Sequence, residues 1–195
     1  GRGAILGDVV SSILEWNGYE VKREYYYNDA GLQMERLGQS VQARYLELVG
    51  QSAKFPDEGY EGEYIIDIAR DLMKNRGDSL QDSDDLTIFI KAAEKSIFQN
   101  IRNSLEKMGL TFDRYFNEQS LYESGAIEMV LDTLKGKDLI YENEGATWFR
   151  ASAVGREQDR VVIKSTGEPT YRLPDMAYHR DKFERGYDLI VDVLG

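Results

Sequence analysis

Ile5, Leu6, Val9, Val10, Ile13 and Leu14 recur at helical spacing near the start of the chain, and Gly18 is placed to end that helix. Tyr19 to Tyr27, YEVKREYYY, reads as an aromatic-rich strand. Asn28 to Gly31, NDAG, is turn chemistry, and a second helix follows through about Val49. Tyr64 to Asn75 carries Ile65, Ile68, Ala69 and Leu72 on one helical face. An acidic linker, GDSLQDSDD, precedes a long amphipathic helix over Leu86–Met108, which Gly109 stops.

The texture then changes. LTFDRYF is strand-like, and Ser120 or Ser124 is placed to cap a helix ending near Leu134. DLIYENEGATWFRAS reads as a hairpin turning at ENEG, and RVVIKSTGEPTYRL as another. Thr170 to Leu173 is a short β-like run, and Pro174 and Asp175 open a further helix. DLIVDVL is nearly continuously apolar, the pattern of a strand covered on both faces in a parallel sheet. Strand follows helix at both ends, with helices and hairpins between. The expected fold is therefore α/β, its sheet interrupted by a long, mostly helical insertion.

The 195 residues suffice for one large domain, or one domain with an insert. A content of 42% hydrophobic and 30% charged residues fits a soluble globular protein. No run approaches the ~18 apolar residues of a membrane span, so no membrane association is expected. The net charge of −11 argues against a whole-surface grip on nucleic acid. With no cysteine and one histidine, disulfides and thiol catalysis are excluded and a structural zinc site is disfavoured; no metal site is expected. No G-x-S-x-G elbow and no glycine-rich phosphate loop is present. The chain shows no signal-peptide pattern and starts abruptly within a helix, without Met. Both ends look cut, as in a piece of a longer chain.

Three stretches, in order, resemble one family. GRGAILGDVVSSILEWNGYEVKREYYYNDAGLQ resembles the helix and strand after the H-I-G-H signature of class I arginyl-tRNA synthetases. FDRYFNEQSL resembles that family's Tyr/Phe-Asp-x-x-x-x-Glu segment. KSTGEPTYRLPDMAYHRDKFERGYDLIVDVLG resembles its segment built on G-x-x-T-Y-x-x-x-D-x-A-Y-H. The resemblance places H-I-G-H just before Gly1 and K-M-S-K-S well after Gly195. It implies a partial Rossmann-like nucleotide-binding fold: residues 1–50 and 166–195 in the catalytic fold, 51–165 as the connective insertion.

The implied activity is that of an arginine–tRNA ligase, which uses ATP with Mg2+ to form arginyl-adenylate and then charges tRNA. The implied partners are arginine, ATP and tRNA, in a monomeric, cytoplasmic, full-length enzyme. The fragment alone is expected to be inactive, to hold no cofactor and to carry no group that performs chemistry. Catalysis would be positioning and charge stabilisation. Tyr171 and Asp175 match arginine-binding positions, and Glu118 matches a third with looser surroundings. Carboxylates suit a planar guanidinium because they accept forked, charge-assisted hydrogen bonds that an ammonium cannot reproduce.

Plainer roles stand beside these. Asp175 is also a favourable acid for a first helical turn. Tyr171 is one of 13 tyrosines, and Glu118 could be a surface acid. His179, four residues after Asp175, either lines the site or packs, with packing preferred. Asn28, Asp29, Gly31 and Gln33 rank as active-site rim or simply as a turn, and Tyr27 stands where many family members carry Val or Ile. Lys135 and Lys137 are candidate tRNA contacts, against ordinary surface lysines in so acidic a chain. Two competing readings are a non-catalytic acidic α/β module for a protein partner and a class I synthetase for another amino acid.

Overall fold

The structure is a computed structural model and describes residues 1–28 and 31–194. The chain divides into two units: Gly1–Tyr25 with Asp29–Arg114, and Tyr26–Asn28 with Tyr115–Gly195.

The first unit is helical. It contains α1 (Arg2–Trp16), α2 (Leu32–Leu48), α3 (Glu63–Arg76) and α4 (Leu86–Lys107). The apolar stripes of α2, α3 and α4 close on one core of Leu37, Val41, Tyr45, Ile65, Ile68, Ala69, Leu80, Phe89 and Ala93. Gly38 lets α2 and α4 approach closely: a Cβ there would lie 2.4 Å from Ile90 Cγ1 and 3.3 Å from the Ile90 backbone nitrogen. Tyr45 is fully buried, and its hydroxyl donates to Gly77 O (2.6 Å) while accepting from Leu80 N (3.2 Å). Asp85 caps α4 by accepting from Thr87 N at 2.9 Å, and that bond holds its carboxyl below the usual range. By contrast α1 buries no residue; Ile5, Leu6, Val9 and Ile13 are about half exposed. Arg23 tethers it, reaching Glu15 at 2.6 and 3.0 Å and Asp8 at 3.3 Å.

The expected strand over Tyr19–Tyr27 is shorter: β1 covers Glu24–Tyr27 and pairs with β2 (Arg114–Asn117). Asp113 N donates to Arg23 O and Glu118 N to Tyr27 O, so partners advance together and the pair is parallel. The segment before Arg23 lies ahead of the first of these bonds and remains irregular.

The second unit holds α5 (Gln119–Glu123), α6 (Ala126–Gly136), β3 (Ile140–Asn143), β4 (Ala146–Phe149), a 3-10 turn (Ala151–Val154), β5 (Arg160–Ile163) and α7 (Arg172–Glu184). Neither Ser120 nor Ser124 caps α6. Gly125, at φ 74°, breaks the expected helix in two and occupies the cap, while the Ser120 hydroxyl donates to Asn117 O. The ENEG hairpin forms as expected, with Glu144 and Gly145 both at positive φ, as a two-residue type I′ turn requires. β3, β4 and β5 form an antiparallel sheet in which Tyr141 faces Trp148 and Trp148 faces Val161.

Two expectations fail here. The run Thr170–Leu173 is not a strand. Beyond the single bridge of Ile163 to Pro169, Thr170 is tied through its N–H to Val162 O, and the chain turns helical from Arg172. Pro174 is accommodated in the first turn of α7, where the missing N–H has no helical partner to lose. The apolar run Asp188–Leu194 is also not a strand among the described residues. No neighbouring strand bonds to it, and Leu189, Val191 and Leu194 stand exposed. The core of this unit joins Phe116, Leu121, Ile127, Val130, Leu173 and Ala177, which seats α7 against the corner of β2 and α5.

Candidate functional site

Glu118 follows β2 directly and precedes the first residue of α5. It is 8% exposed, which is rare for a carboxylate without a partner. One partner is the Tyr26 hydroxyl of β1, which donates to Glu118 Oε2. The neighbouring Asn117 fixes this corner twice. Its Nδ2 donates to the Tyr27 hydroxyl at 2.9 Å, and its Oδ1 accepts from Ser120 N at 3.1 Å.

The Tyr26 ring is packed among aromatics. It stacks on Phe116 with centroids 5.9 Å apart and meets Tyr178 of α7 at 4.7 Å. Burial pushes its phenol far above the usual tyrosine range, and the bond to Glu118 and the charges of Glu118 and Asp175 push the same way. Both carboxylates thus lie within electrostatic reach of one phenol. The Tyr122 phenol is likewise raised, by burial and then by the charge of Glu118.

Asp175 is exposed in the first turn of α7, and its N–H donates to Tyr171 O at 3.2 Å. Tyr171 sits at the cap of α7, not on a strand, and is 69% exposed. The Arg172 guanidinium lies 4.6 Å from its ring centre, so the ring face accepts a planar cation. A broad, open depression of about 660 Å³ runs along α7, lined by Arg172, Asp175, Met176, His179, Arg180 and Phe183 among others.

His179 follows one turn after Asp175. Its Nδ1 is 2.9 Å from Asp175 O and its Nε2 is 3.2 Å from Asp192 Oδ2. Asp192 also pairs with Lys182, a lysine only 6% exposed whose Nζ lies 4.4 Å over the Tyr178 ring. Desolvation is the largest influence on the Asp192 carboxyl and works upward. The hydrogen bond and charge of Lys182, with those of His179, outweigh it and hold the group below its usual range.

The remaining candidates are elsewhere. Asn28 is exposed in the second unit, whereas Gly31 and Gln33 belong to the first; Gly31, at φ 86°, caps α2. Asp29 lies outside the described residues. Lys135 and Lys137 are exposed at the C-terminal end of α6. The structure thus brings Glu118 and Asp175 around Tyr26, and lines up Tyr171, Asp175 and His179 on α7. Sequence reasoning missed Tyr26, Tyr178, Lys182 and Asp192. Strand alternation separates Tyr26 from Tyr25 and Tyr27, but it does not say which face meets a carboxylate.

Solved structures share this arrangement of elements. An arginyl-tRNA synthetase of Plasmodium falciparum superposes with a TM-score of 0.62 at 18% identity, over 90% of this chain and 30% of that one, a likeness of fold alone. One described as an arginyl-tRNA synthetase of Campylobacter jejuni superposes with a TM-score of 0.83 at 34% identity, over 95% of this chain and 41% of that one. The fold is thus that of a class I aminoacyl-tRNA synthetase catalytic region. Residues 1–194 match the family described as "tRNA synthetases class I (R), catalytic domain", and the chain belongs to that family. Relatives named arginine–tRNA ligase include one from Desulfotalea psychrophila, 54% identical over 195 residues, and one from Chlorobaculum parvum, 51% identical over 200. Each alignment covers 100% of this chain but only 35% and 36% of the relative, so the chain spans about a third of their length.

Proposed function

We propose that this chain supplies the arginine-recognising part of an arginine–tRNA ligase, with Glu118, Asp175 and Tyr171 as the substrate-binding groups. The observation that carries this reading is the placement of two carboxylates, one buried and one exposed, about the Tyr26 phenol in a single unit. Arginine offers two cationic groups, an α-ammonium and a guanidinium, and two separated acids suit a substrate charged at both ends. Carboxylates give the guanidinium forked, charge-assisted hydrogen bonds, and the Tyr171 ring offers it a flat face. Lysine satisfies fewer of these acceptors, and each left unpaired in a desolvated site raises the barrier to the wrong substrate.

In the intact enzyme the arginine carboxylate attacks the α-phosphorus of ATP, forming a mixed anhydride and releasing pyrophosphate. A hydroxyl of the terminal tRNA adenosine then takes the arginyl group and AMP leaves. The residues of this chain bind and orient the amino acid for those steps. Among the described residues no cluster of three acidic, histidine or cysteine side chains could hold a metal ion. Mg2+, which travels with ATP phosphates, is therefore assigned no ligand here. No helix is long and apolar enough to cross a membrane. Residues 1–50 and 166–195 are read as nucleotide-binding fold and 51–165 as its insertion. Asn28 is read as rim, and Lys135 and Lys137 as contacts for tRNA.

The test is Asp175→Ala in the intact ligase, read by arginine-dependent pyrophosphate exchange. We expect the KM for arginine to rise by roughly 10- to 100-fold, as for a lost hydrogen bond to a charged group. The KM for ATP should stay within about twofold. An unchanged arginine KM would count against the assignment.

A further inference from the structure

We propose that Tyr26 is a positioning residue for substrate selection: its hydroxyl fixes the Glu118 carboxylate in the orientation that receives a cationic group of arginine. The proposal rests on the reading of Glu118 given above. It adds a residue outside the substrate-binding set, with a defined task.

The geometry begins with the ring. Tyr26, Phe116 and Tyr178 form a mutual cluster, with centroids 5.9 Å apart for Tyr26–Phe116, 4.7 Å for Tyr26–Tyr178 and 4.4 Å for Phe116–Tyr178. The cluster joins β1, β2 and α7, so the phenol cannot swing without disturbing three elements. Its hydroxyl is therefore a fixed donor. The Lys182 ammonium over the far ring, Tyr178, and the Lys182–Asp192 pair behind it brace the same cluster from the other side.

The chemistry concerns charge. Glu118 is nearly buried, and a buried carboxylate must be hydrogen-bonded to remain useful as an anion. A lysine or arginine in place of Tyr26 would satisfy the oxygen but neutralise the charge. A phenol satisfies Oε2 without itself neutralising the negative charge. Burial and the nearby acids also keep the phenol protonated, so it stays a donor throughout the working pH range. Removal of the hydroxyl takes away one donor that orients the carboxylate, and the loss falls on substrate affinity more than on turnover.

The test compares wild type, Tyr26→Phe, Glu118→Gln and the double variant in the intact ligase, by pyrophosphate exchange with arginine and with lysine. Expected for Tyr26→Phe is an arginine KM raised about tenfold, the scale of one hydrogen bond to a charged group. Its kcat and ATP KM should stay within about twofold, and its preference for arginine over lysine should narrow. Glu118→Gln should raise the arginine KM at least as much, and adding Tyr26→Phe to it should change little further. If Glu118→Gln raises the KM but Tyr26→Phe does not, the positioning role is overturned while Glu118 keeps its place. If Glu118→Gln has no effect, the arginine-binding reading of Glu118 fails and the proposal with it. Additive effects, or a Tyr26→Phe enzyme with kcat and both KM values impaired together, would show a merely structural tyrosine and also overturn it.

Discussion

Tyr45 and Tyr26 carry the same side chain to different ends. Tyr45, in the helical unit, is fully buried and spends its hydroxyl on two backbone groups, Gly77 O and Leu80 N. It closes the turn after α3 and has nothing left for a ligand. Tyr26, in the other unit, gives its hydroxyl to a carboxylate among three aromatic rings. A buried phenol bonded to main chain fastens a fold, whereas one bonded to a side-chain anion holds a charge in place. The contrast extends to the units. The α2–α4 core is sealed by Leu, Ile, Val and Phe. The core under α7 borders ionisable groups on two sides, Glu118 at one and the Lys182–Asp192 pair at the other.

The strongest way to break the comparison is through the helical core, where a defect should reach stability alone. Gly38→Val forces a branched side chain against Ile90 and Leu86, where even a bare Cβ has no room. Overpacking of this kind costs about 3 kcal/mol at the upper end, only partly offset by the better helix propensity of a non-glycine residue. Thermal melting of the chain should show a drop of several degrees. A variant as stable as the parent would mean that α2 and α4 can separate without loss. Tyr45→Phe is the milder version and the direct counterpart of the Tyr26 experiment. Leaving Gly77 O and Leu80 N without that partner should cost about 1–3 kcal/mol of stability. The arginine KM of the intact ligase should not move. If Tyr45→Phe altered arginine selectivity while Tyr26→Phe altered only stability, the assignment of roles would be reversed.

Much of this was legible in the chain, for reasons that differ by element. The helices over Leu32–Leu48, Glu63–Arg76 and Leu86–Lys107 follow from apolar periodicity, because each buries one stripe against its neighbours. The ENEG turn follows from its need for two positive φ angles. The failures came where pattern underdetermines pairing. Asp188–Leu194 has the composition of a buried strand, but a strand exists only where another bonds to it. Thr170–Leu173 looks extended, yet it gives way to the α7 start once Thr170 has bonded to Val162. At the site, Glu118, Tyr171 and Asp175 come from the resemblance to the family's segments and are proposed on that ground. Tyr26 does not, because its importance lies in a contact across 92 positions that no local pattern encodes.

The smallest effect, and the finest probe of the contrast, concerns Asp192. Asp192→Asn keeps shape and hydrogen bonding but leaves the buried Lys182 ammonium without its counter-charge. Loss of one partner of a buried pair is usually severe, but Asp192 is about a third exposed and water screens the remaining charge. The expected loss is therefore about 1 kcal/mol. The pH dependence supplies the sign. The Asp192 carboxyl titrates below its unfolded value in the folded chain, so its contribution is complete above about pH 4. It disappears as pH falls through the lower folded value, where the aspartate gains its proton. The stability gap between parent and Asp192→Asn should accordingly close as the pH falls below about 4. A gap that persists unchanged in acid would show that the pair contributes by packing, and that the ionisable border of the α7 core is no more electrostatic than the sealed core of the helical unit.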